Sequence, residues 1–153
     1  MTDRQAMLLA IKNAKSAAAD GEVPVGAVVL KNGKVIGEGR NRREKGRNAV
    51  LHAEIEAIET ACRTVGSWRL QGCELFVTLE PCPMCAGAIM NARLDRLVFG
   101  AYDENVGFII SRNELFDVLP EVRPTIVGGY MENECAEILE SFFQNRRNDD
   151  NKI

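Results

Sequence analysis

The sequence predicts an α/β fold in which three layers, α/β/α, are built around a mixed five-stranded sheet. Helix-like and strand-like segments alternate along the chain, and this alternation is typical of three-layer α/β domains. An Asn32-Gly33 turn between two apolar segments predicts that the sheet opens with an antiparallel hairpin. The chain has 153 residues, which suits one domain because domains commonly contain ~100–150 residues.

The N-terminal segments predict a helix followed by the hairpin. Apolar residues recur at intervals of three and four over residues 3–20, as on one face of an amphipathic helix, and Gly21 can end that helix. Residues 23–30 and 35–39 are rich in β-branched and apolar side chains on either side of the Asn-Gly turn. We therefore expect two paired strands there, and no regular element over residues 40–51.

The middle of the chain predicts a strand that leads directly into a helix. Residues 74–79 have the apolar composition of a buried strand, and Pro83 stands where a helix tolerates proline, in its first turn. Helical spacing covers residues 83–92, and it also covers residues 53–62 earlier in the chain. The remaining predicted elements are a strand over 96–100, a short helix over 114–119, a strand over 123–127 and a helix over 132–144. We expect one domain over residues 1–147 and a polar, frayed tail over residues 148–153.

Composition excludes several classes of protein. With 46% hydrophobic and 27% charged residues, the chain is neither disordered nor embedded in a bilayer. No segment approaches the ~20 consecutive apolar residues of a membrane helix, and the first residues lack the layout of a signal peptide, so we expect no membrane contact and a cytoplasmic location. Five cysteines, an odd number in a chain long enough to be stabilised by packing, argue against a disulfide framework.

The net charge hides a basic segment. The formal charge of −3 argues against non-specific coating of nucleic acid, but it leaves specific binding of one RNA open. Just before His52, five basic residues are opposed only by Glu44, so this stretch carries about +4. It could form a phosphate-binding rim or a solvated loop. Its basic residues are Arg40, Arg42, Arg43, Lys45 and Arg47.

Cys82 and Cys85 stand three residues apart at the predicted junction between strand and helix. Side chains at this spacing project from the same side of a helix, and the helix N-terminus favours the thiolate form. Thiolates bind Zn²⁺, but the same arrangement is also typical of dithiol redox centres. The pair by itself leaves both interpretations open.

His52 favours the metal interpretation. A lone histidine is more often structural than a ligand, but His52 begins the other well-marked helix and adds a third ligand to Cys82 and Cys85. Three protein ligands leave one position of a tetrahedral Zn²⁺ for water, which is typical of a catalytic site. Glu54 lies close enough to take the proton of that water, although a glutamate near a helix N-terminus is by itself unexceptional. We therefore predict one Zn²⁺ per chain. A catalytically silent RNA-binding module stabilised by zinc stays an alternative.

The sequence His52-Ala53-Glu54 followed by Pro81-Cys82 and Cys85 is the signature of zinc-dependent nucleobase deaminases. Beyond the signature, the chain resembles the bacterial tRNA adenosine deaminase family over about residues 7–147. The matching segments are 22–28, 37–41, 52–54, 68–70, 77–88, 98–101, 135–136 and 142–147.

The resemblance implies a cytidine-deaminase-like fold, a homodimer, and conversion of adenosine to inosine at the wobble position of a tRNA anticodon arm. In that chemistry hydroxide on the zinc attacks the amino-bearing ring carbon, and Glu54 carries protons to the ring nitrogen and to the departing ammonia. The resemblance also assigns substrate binding to four residues: Asn41, the backbone of Ala53, Asp103 and Phe143.

One segment departs from the family pattern. Where the family has a lysine and a run of small residues, this chain has Asn105 and the bulky residues Phe108, Ile109 and Ile110, although Asp103 and Gly107 match. Bulky apolar side chains suit a closed pocket for a free purine base, as in a guanine deaminase, better than an open groove for RNA. They could equally pack the short helix that follows. The basic segment and Arg146-Arg147 favour tRNA, so the small purine is kept as the alternative substrate.

Overall fold

The computed structural model describes residues 1–151. In this part of the chain, five strands form one sheet in the order β2-β1-β3-β4-β5. The strands are β1 Gly26–Lys31, β2 Lys34–Arg40, β3 Cys73–Leu79, β4 Arg96–Ala101 and β5 Thr125–Val127. The helices are α1 Asp3–Ala19, α2 Ala53–Val65, α3 Pro83–Ala92, α4 Leu115–Val118 and α5 Glu132–Asp150, with a short 3₁₀ turn at Pro120–Val122.

The sheet is mixed, as the sequence predicts. Strand β1 pairs antiparallel with both β2 and β3, whereas the β3–β4 and β4–β5 pairs are parallel. The parallel pairs follow from the helical crossovers between those strands, since two adjacent parallel strands cannot be joined by a tight turn.

Helices cover both faces of the sheet, which confirms the three layers. Successive side chains of a strand point to opposite faces. Accordingly Val77 and Phe99 are buried in the cluster that also contains α2 and α3, whereas Phe76 and Val98 are buried in the cluster that contains α1 and Cys135 of α5. The core is therefore divided by the sheet into two apolar clusters.

Two glycines of β2 let α2 lie directly on the sheet. A Cβ atom at Gly39 would lie 2.7 Å from the backbone nitrogen of Ala57, and closer still to the carbonyl oxygen of Ala53. A Cβ atom at Gly37 would lie 2.8 Å from the backbone nitrogen of Ala61. Because neither position has room for a side chain, the N-terminus of α2 is held at a fixed depth against the sheet.

Most predicted elements are present with shifted ends. Strand β1 begins at Gly26 rather than at residue 23, because the Val25 N–H donates to the Val23 carbonyl in a turn around Pro24. Strand β5 begins after Pro124, which has no N–H to donate to a neighbouring strand.

The C-terminal helix is longer than predicted. We expected the helix to end at residue 144 and a frayed tail over residues 148–153, but α5 continues to Asp150. Side-chain interactions one turn apart support the extension: Arg147 donates to Gln144 at 2.9 Å, and the Arg146 guanidinium lies over the Phe142 ring at 5.4 Å. Residues 152–153 of the expected tail lie outside the described residues. The single domain over residues 1–147 stays a prediction.

Candidate active site

Two helix N-termini meet at the site. His52 is the residue before the first turn of α2, in extended conformation, and Cys82 occupies the same position before α3. Close packing on the β2 glycines fixes the N-terminus of α2 and with it His52. Pro83 occupies the first turn of α3, directly after Cys82. The unpaired N–H groups of both first turns give this region a positive electrostatic potential, which favours anionic groups such as thiolates.

His52, Cys82 and Cys85 form a compact group of potential metal ligands. The Nδ1 atom of His52 lies 3.7 Å from Sγ of Cys82 and 3.6 Å from Sγ of Cys85, and all three ligand atoms lie within 4.8 Å of one another. In a tetrahedral zinc site with ordinary Zn–N and Zn–S lengths, nitrogen and sulfur ligands are separated by about 3.6 Å. The three side chains are therefore already placed to hold Zn²⁺.

The two thiols of this group differ in acidity. A hydrogen bond from the Cys85 thiol, assisted by His52, lowers the pKa of Cys82 to about 4. The pKa of Cys85 is raised, because its thiol is hydrogen-bonded to the Cys82 thiolate, is buried and lies beside the Glu54 carboxylate. The pKa of His52 is raised by its hydrogen bond with Cys82. Metal binding to this group therefore displaces at least one proton.

Glu54 lies beside the ligand group on the first turn of α2. Its side chain is buried, at 4% exposure, and burial raises its pKa to about 6. A carboxyl group whose pKa lies near neutrality can both accept and release a proton at physiological pH. These are the properties of a general acid/base.

A small cavity of about 140 Å³ adjoins this group. Three of the residues predicted to bind substrate line it, namely Asn41, Ala53 and Asp103, together with His52, Glu54 and Cys82. Pockets that enclose a drug-sized ligand have volumes of ~300–1,000 Å³. A cavity of this size admits a group about as large as one nucleobase and leaves the rest of a nucleotide outside.

Comparison with known proteins now identifies the family. Residues 1–101 match the profile of the cytidine and deoxycytidylate deaminase zinc-binding region. The chain belongs to this deaminase family. It is 44% identical over 149 residues to the tRNA-specific adenosine deaminase of Bacillus subtilis (strain 168), with 95% of this chain and 91% of the relative covered.

Two solved structures are also similar to this deaminase. One comes from a study of A-to-I editing by tRNA:A34 deaminases at the wobble position of transfer RNA, with a TM-score of 0.84, 43% identity, and 89% of this chain and 99% of that chain covered. The other is a guanine deaminase from Bacillus subtilis, with a TM-score of 0.64, 36% identity, and 67% and 66% of the two chains covered. They confirm the cytidine-deaminase-like fold, and the family profile together with the ligand geometry supports a zinc cofactor.

Asn41 and Asp103 are both held in place beside the cavity. The Asn41 amide donates to the Val23 carbonyl at 3.3 Å and accepts the N–H of Arg43 at 3.3 Å. The Asp103 carboxylate accepts the N–H groups of Asn105 and Val106 at 3.0 and 3.2 Å. Both side chains are thus ordered before any substrate is bound.

Phe143 is not brought to this cavity. Among the described residues, the cavity wall does not include Phe143, which lies on α5 with 41% exposure against the edge of Phe142. Its role in binding stays a prediction.

The bulky residues of the divergent segment do not close the cavity. Ile109 is buried in the core beside α4, Phe108 packs against the same cluster, and Ile110 is exposed. Within residues 1–151, this segment contributes Val106 to the cavity wall but none of these three residues. Phe108 and Ile109 pack in the cluster that contains Phe116 of α4, as the second of the two interpretations expected, whereas Ile110 does not.

Two buried carboxylates near the site are structural features that sequence reasoning missed. Glu80, at 2% exposure, accepts hydrogen bonds from the segment after β4. Glu22, also at 2%, accepts the N–H groups of Glu44 and Lys45 at 3.0 and 2.9 Å and so holds the basic segment. An acidic residue directly after a buried strand was the available signal for Glu80, since such a group must find donors nearby.

Proposed function

We propose that this deaminase is a zinc-dependent hydrolase that converts adenosine to inosine at the wobble position of a tRNA. The observation that carries the chemistry is the buried Glu54 beside the three ligands His52, Cys82 and Cys85. The substrate follows from the tRNA-specific adenosine deaminase at 44% identity and from the structure of tRNA:A34 deaminases, which covers 89% of this chain.

We assign His52, Cys82 and Cys85 as the ligands of one Zn²⁺. Bound there, the ion would supply activation of a water molecule near neutral pH. The remaining steps depend on the chain itself. The Glu54 carboxylate would accept one proton of the attacking water and pass it to the ring nitrogen. It would then accept the second proton, from the new hydroxyl on the ring carbon, and pass it to the amino group, which leaves as ammonia. Its pKa of about 6 suits this role, because the carboxyl group changes protonation state easily near pH 7.

Asn41, Ala53 and Asp103 are the groups that we assign to base binding. The Asn41 amide is oriented by Val23 and Arg43, and Ala53 begins α2, where the first N–H groups of a helix have no partner within the helix. Donors and acceptors that are ordered in advance lower the entropic cost of binding. Phe143, outside the cavity, would contact a part of the tRNA other than the target base.

The small cavity and its basic rim favour a base presented by RNA. The cavity has room for one base, so the ribose and the phosphates of a bound nucleotide would lie at its mouth. Arg43 lines the cavity and is exposed at the surface. Arg42 is paired with Glu56 at 2.7 Å and Lys45 with Asp20 at 3.0 Å.

Two residues of the basic segment, Arg43 and Arg47, are available to bind phosphate groups. Within residues 1–151, Arg43 and Arg47 form no ion pair with an acidic residue, whereas Arg40, Arg42 and Lys45 do. Unpaired arginines can bind phosphate without first breaking an internal contact. We therefore propose that Arg43 and Arg47 contact the tRNA backbone on either side of the target base.

Deamination of a free purine base is the second candidate. Similarity to the guanine deaminase of Bacillus subtilis favours it, but over only 67% of this chain. The bulky residues of the divergent segment give it less support than the sequence suggested, because Phe108 and Ile109 pack in the interior and do not enclose the cavity.

A homodimer and a cytoplasmic location complete the proposal. Both rest on the resemblance to the tRNA adenosine deaminase family. In the part of the chain that the structure describes, no helix is long and apolar enough to span a membrane.

A panel of substrates tests the proposed function. Purified protein is incubated with a tRNA anticodon stem-loop, guanine, adenosine and cytidine, and ammonia release is measured for each. We expect release from the stem-loop that carries adenosine at the wobble position. Turnover of guanine with no inosine formed in the RNA would instead support the second candidate.

A further inference from the structure

The segment after β4 is folded around the carboxylate of Glu80. Its Oε1 atom accepts the N–H of Asp103 at 3.1 Å and the hydroxyl of Ser111. Its Oε2 atom accepts three consecutive N–H groups, from Ile109 at 3.3 Å, Ile110 at 2.7 Å and Ser111 at 2.9 Å. One buried side chain thus receives hydrogen bonds from both ends of the segment 103–111.

Glu80 is part of the cavity wall and stands close in sequence to a proposed zinc ligand. Glu80 is two residues before Cys82 and is 2% exposed at the edge of the cavity. The segment that it holds supplies Asp103 and Val106 to that wall. A displacement of the segment would therefore move two of the groups that face a bound base, without touching the metal ligands.

The same segment contacts Glu80 through a glycine. A Cβ atom at Gly107 would lie 2.5 Å from Oε1 of Glu80. Gly107 also donates its N–H to the Asp103 carbonyl, and Phe108 donates to the carbonyl of Pro81. The backbone of Gly107 thus lies directly against the carboxylate, which leaves no room for a side chain at residue 107.

We propose that Glu80 is a positioning residue for the deamination reaction: it fixes the backbone of residues 103–111, and thereby the place of Asp103 and Val106 in the substrate-binding wall. This proposal rests on the proposed function. It is compatible with the divergent side chains, because the hydrogen bonds to Glu80 come from backbone N–H groups, which every residue except proline has. Glu80 acts here through the segment and not on the reacting atoms.

The first variant to test is Glu80→Gln, which keeps the volume of the side chain. A Gln amide replaces one acceptor oxygen with an NH₂ group, so the donors that faced this oxygen lose their partner. We expect kcat/KM on the tRNA stem-loop to fall by about 10–100-fold, since misplacement by ~1 Å is costly in catalysis. Zinc content should stay at about one per chain. The matched control is Glu74→Gln, the same change at the other end of β3.

Amide hydrogen exchange separates positioning from general destabilisation. In Glu80→Gln we expect the amides of residues 109–111 to exchange at least about tenfold faster, while those of β3 and β4 keep their protection. If all amides lose protection together, or if kcat/KM stays within about twofold of the Glu74→Gln control, the proposal is wrong.

Gly107→Ala changes the residue that packs against the Glu80 carboxylate, and it tests the proposal even if Glu80→Gln does not fold. The added methyl group should push the segment off the carboxylate and give the same selective loss of protection and of kcat/KM. Gly87→Ala is its control, because a Cβ atom there meets no atom within 4 Å. Normal turnover in Gly107→Ala with an unchanged exchange pattern would overturn the proposal.

Different results would contradict the proposed function and the role of Glu80. If the wild-type protein deaminates a free purine and not tRNA, the proposed function is wrong, and the exchange pattern and the kcat/KM for that purine still test Glu80. If the wild-type protein edits tRNA but the Glu80 and Gly107 variants do so at the control rate, only the role of Glu80 is wrong.

Discussion

Glu54 combines burial with closeness to the metal ligands. Burial raises its pKa to about 6, and Cys85 of the ligand group is within hydrogen-bonding reach of its carboxylate. A carboxylate in this position can move protons but is not needed to hold the ion, because three ligands already suffice for a catalytic zinc site. The roles of binding the metal and moving the proton are thus divided between different residues.

Replacement of Glu54 separates these two roles. We expect Glu54→Gln to lower turnover by about 10²–10⁴-fold, the range typical of a lost general acid/base, with zinc still bound at about one per chain. The measurement is inosine formation together with elemental analysis of the same sample. Cys85→Ser is the comparison, because it should lose zinc as well as activity. Full activity in Glu54→Gln would refute the role of proton shuttle.

At the level of elements, the position of α2 depends on the glycines of β2. The carbonyl of Ala53 lies directly over Gly39, so the end of the helix that bears His52 and Glu54 is set by a contact between two backbones. Any side chain at this position must lift the helix from the sheet.

We therefore expect Gly39→Ala to reduce both stability and activity. Overpacking of this kind costs about 1–3 kcal/mol of unfolding free energy, and displacement of His52 should lower zinc occupancy. Urea unfolding and zinc content measure the two effects. Gly87→Ala, at an open helical site, should instead raise stability by about 0.5–1 kcal/mol. Equal stability of the two variants would contradict this account of the packing.

The N-terminus of α1 is attached to the sheet by an ion pair. Arg96 of β4 donates to both carboxylate oxygens of Asp3, at 2.9 and 2.6 Å. The hydrogen bond from Arg96 holds the pKa of Asp3 below its ordinary value of 3.8. A carboxyl group whose pKa is depressed on folding stabilises the protein above its unfolded pKa, and this contribution is lost as the pH falls through the folded pKa.

Because of this ion pair, the free energy of unfolding should decrease as the pH falls through the pKa of Asp3 in the folded protein. We expect Asp3→Asn to lower the free energy of unfolding by about 0.2–1 kcal/mol at pH 7, a range suited to a partly exposed pair. The difference from the wild-type protein should vanish at pH values well below 3.8. Urea denaturation at a series of pH values measures it. A difference that is the same at pH 7 and at the acidic end would contradict the assignment.

Sequence reasoning succeeded where the signal was local and failed where it was tertiary. The grouping of His52, Cys82 and Cys85 was predictable, because all three stand at or within the first turn of a predicted helix. The extension of α5 was missed because polar residues after Gln144, such as Asn148, resemble a tail until their contacts along the helix are known. The role of Glu80 depends on donors 23 to 31 residues away, which no local pattern shows.

The whole molecule carries a net negative charge, yet its site has a basic rim. Glu22 holds the basic segment from inside the protein, and Asp20 neutralises part of it. Within residues 1–151, Arg43, which lines the cavity, and Arg47 form no ion pair and are available to a polyanion. Binding that depends on few phosphate contacts should have a moderate dependence on salt.

Salt dependence of tRNA binding tests this rim. We expect Arg43→Ala and Arg47→Ala each to weaken binding and to reduce the slope of log affinity against log salt by about one. Arg63→Ala, at the exposed end of α2 and paired with Glu59, is the control and should leave the slope unchanged. If neither Arg43 nor Arg47 alters the slope, the rim does not bind RNA.

We expect this deaminase to convert one adenosine of the tRNA, the one at the wobble position, to inosine. The most direct measurement is inosine at each position of two tRNA anticodon stem-loops, one with adenosine at the wobble position and one with that adenosine moved to the neighbouring loop position. We predict inosine at the wobble position of the first RNA and none in the second. Inosine in neither RNA, with ammonia released from a free purine by the same preparation, would contradict the claim.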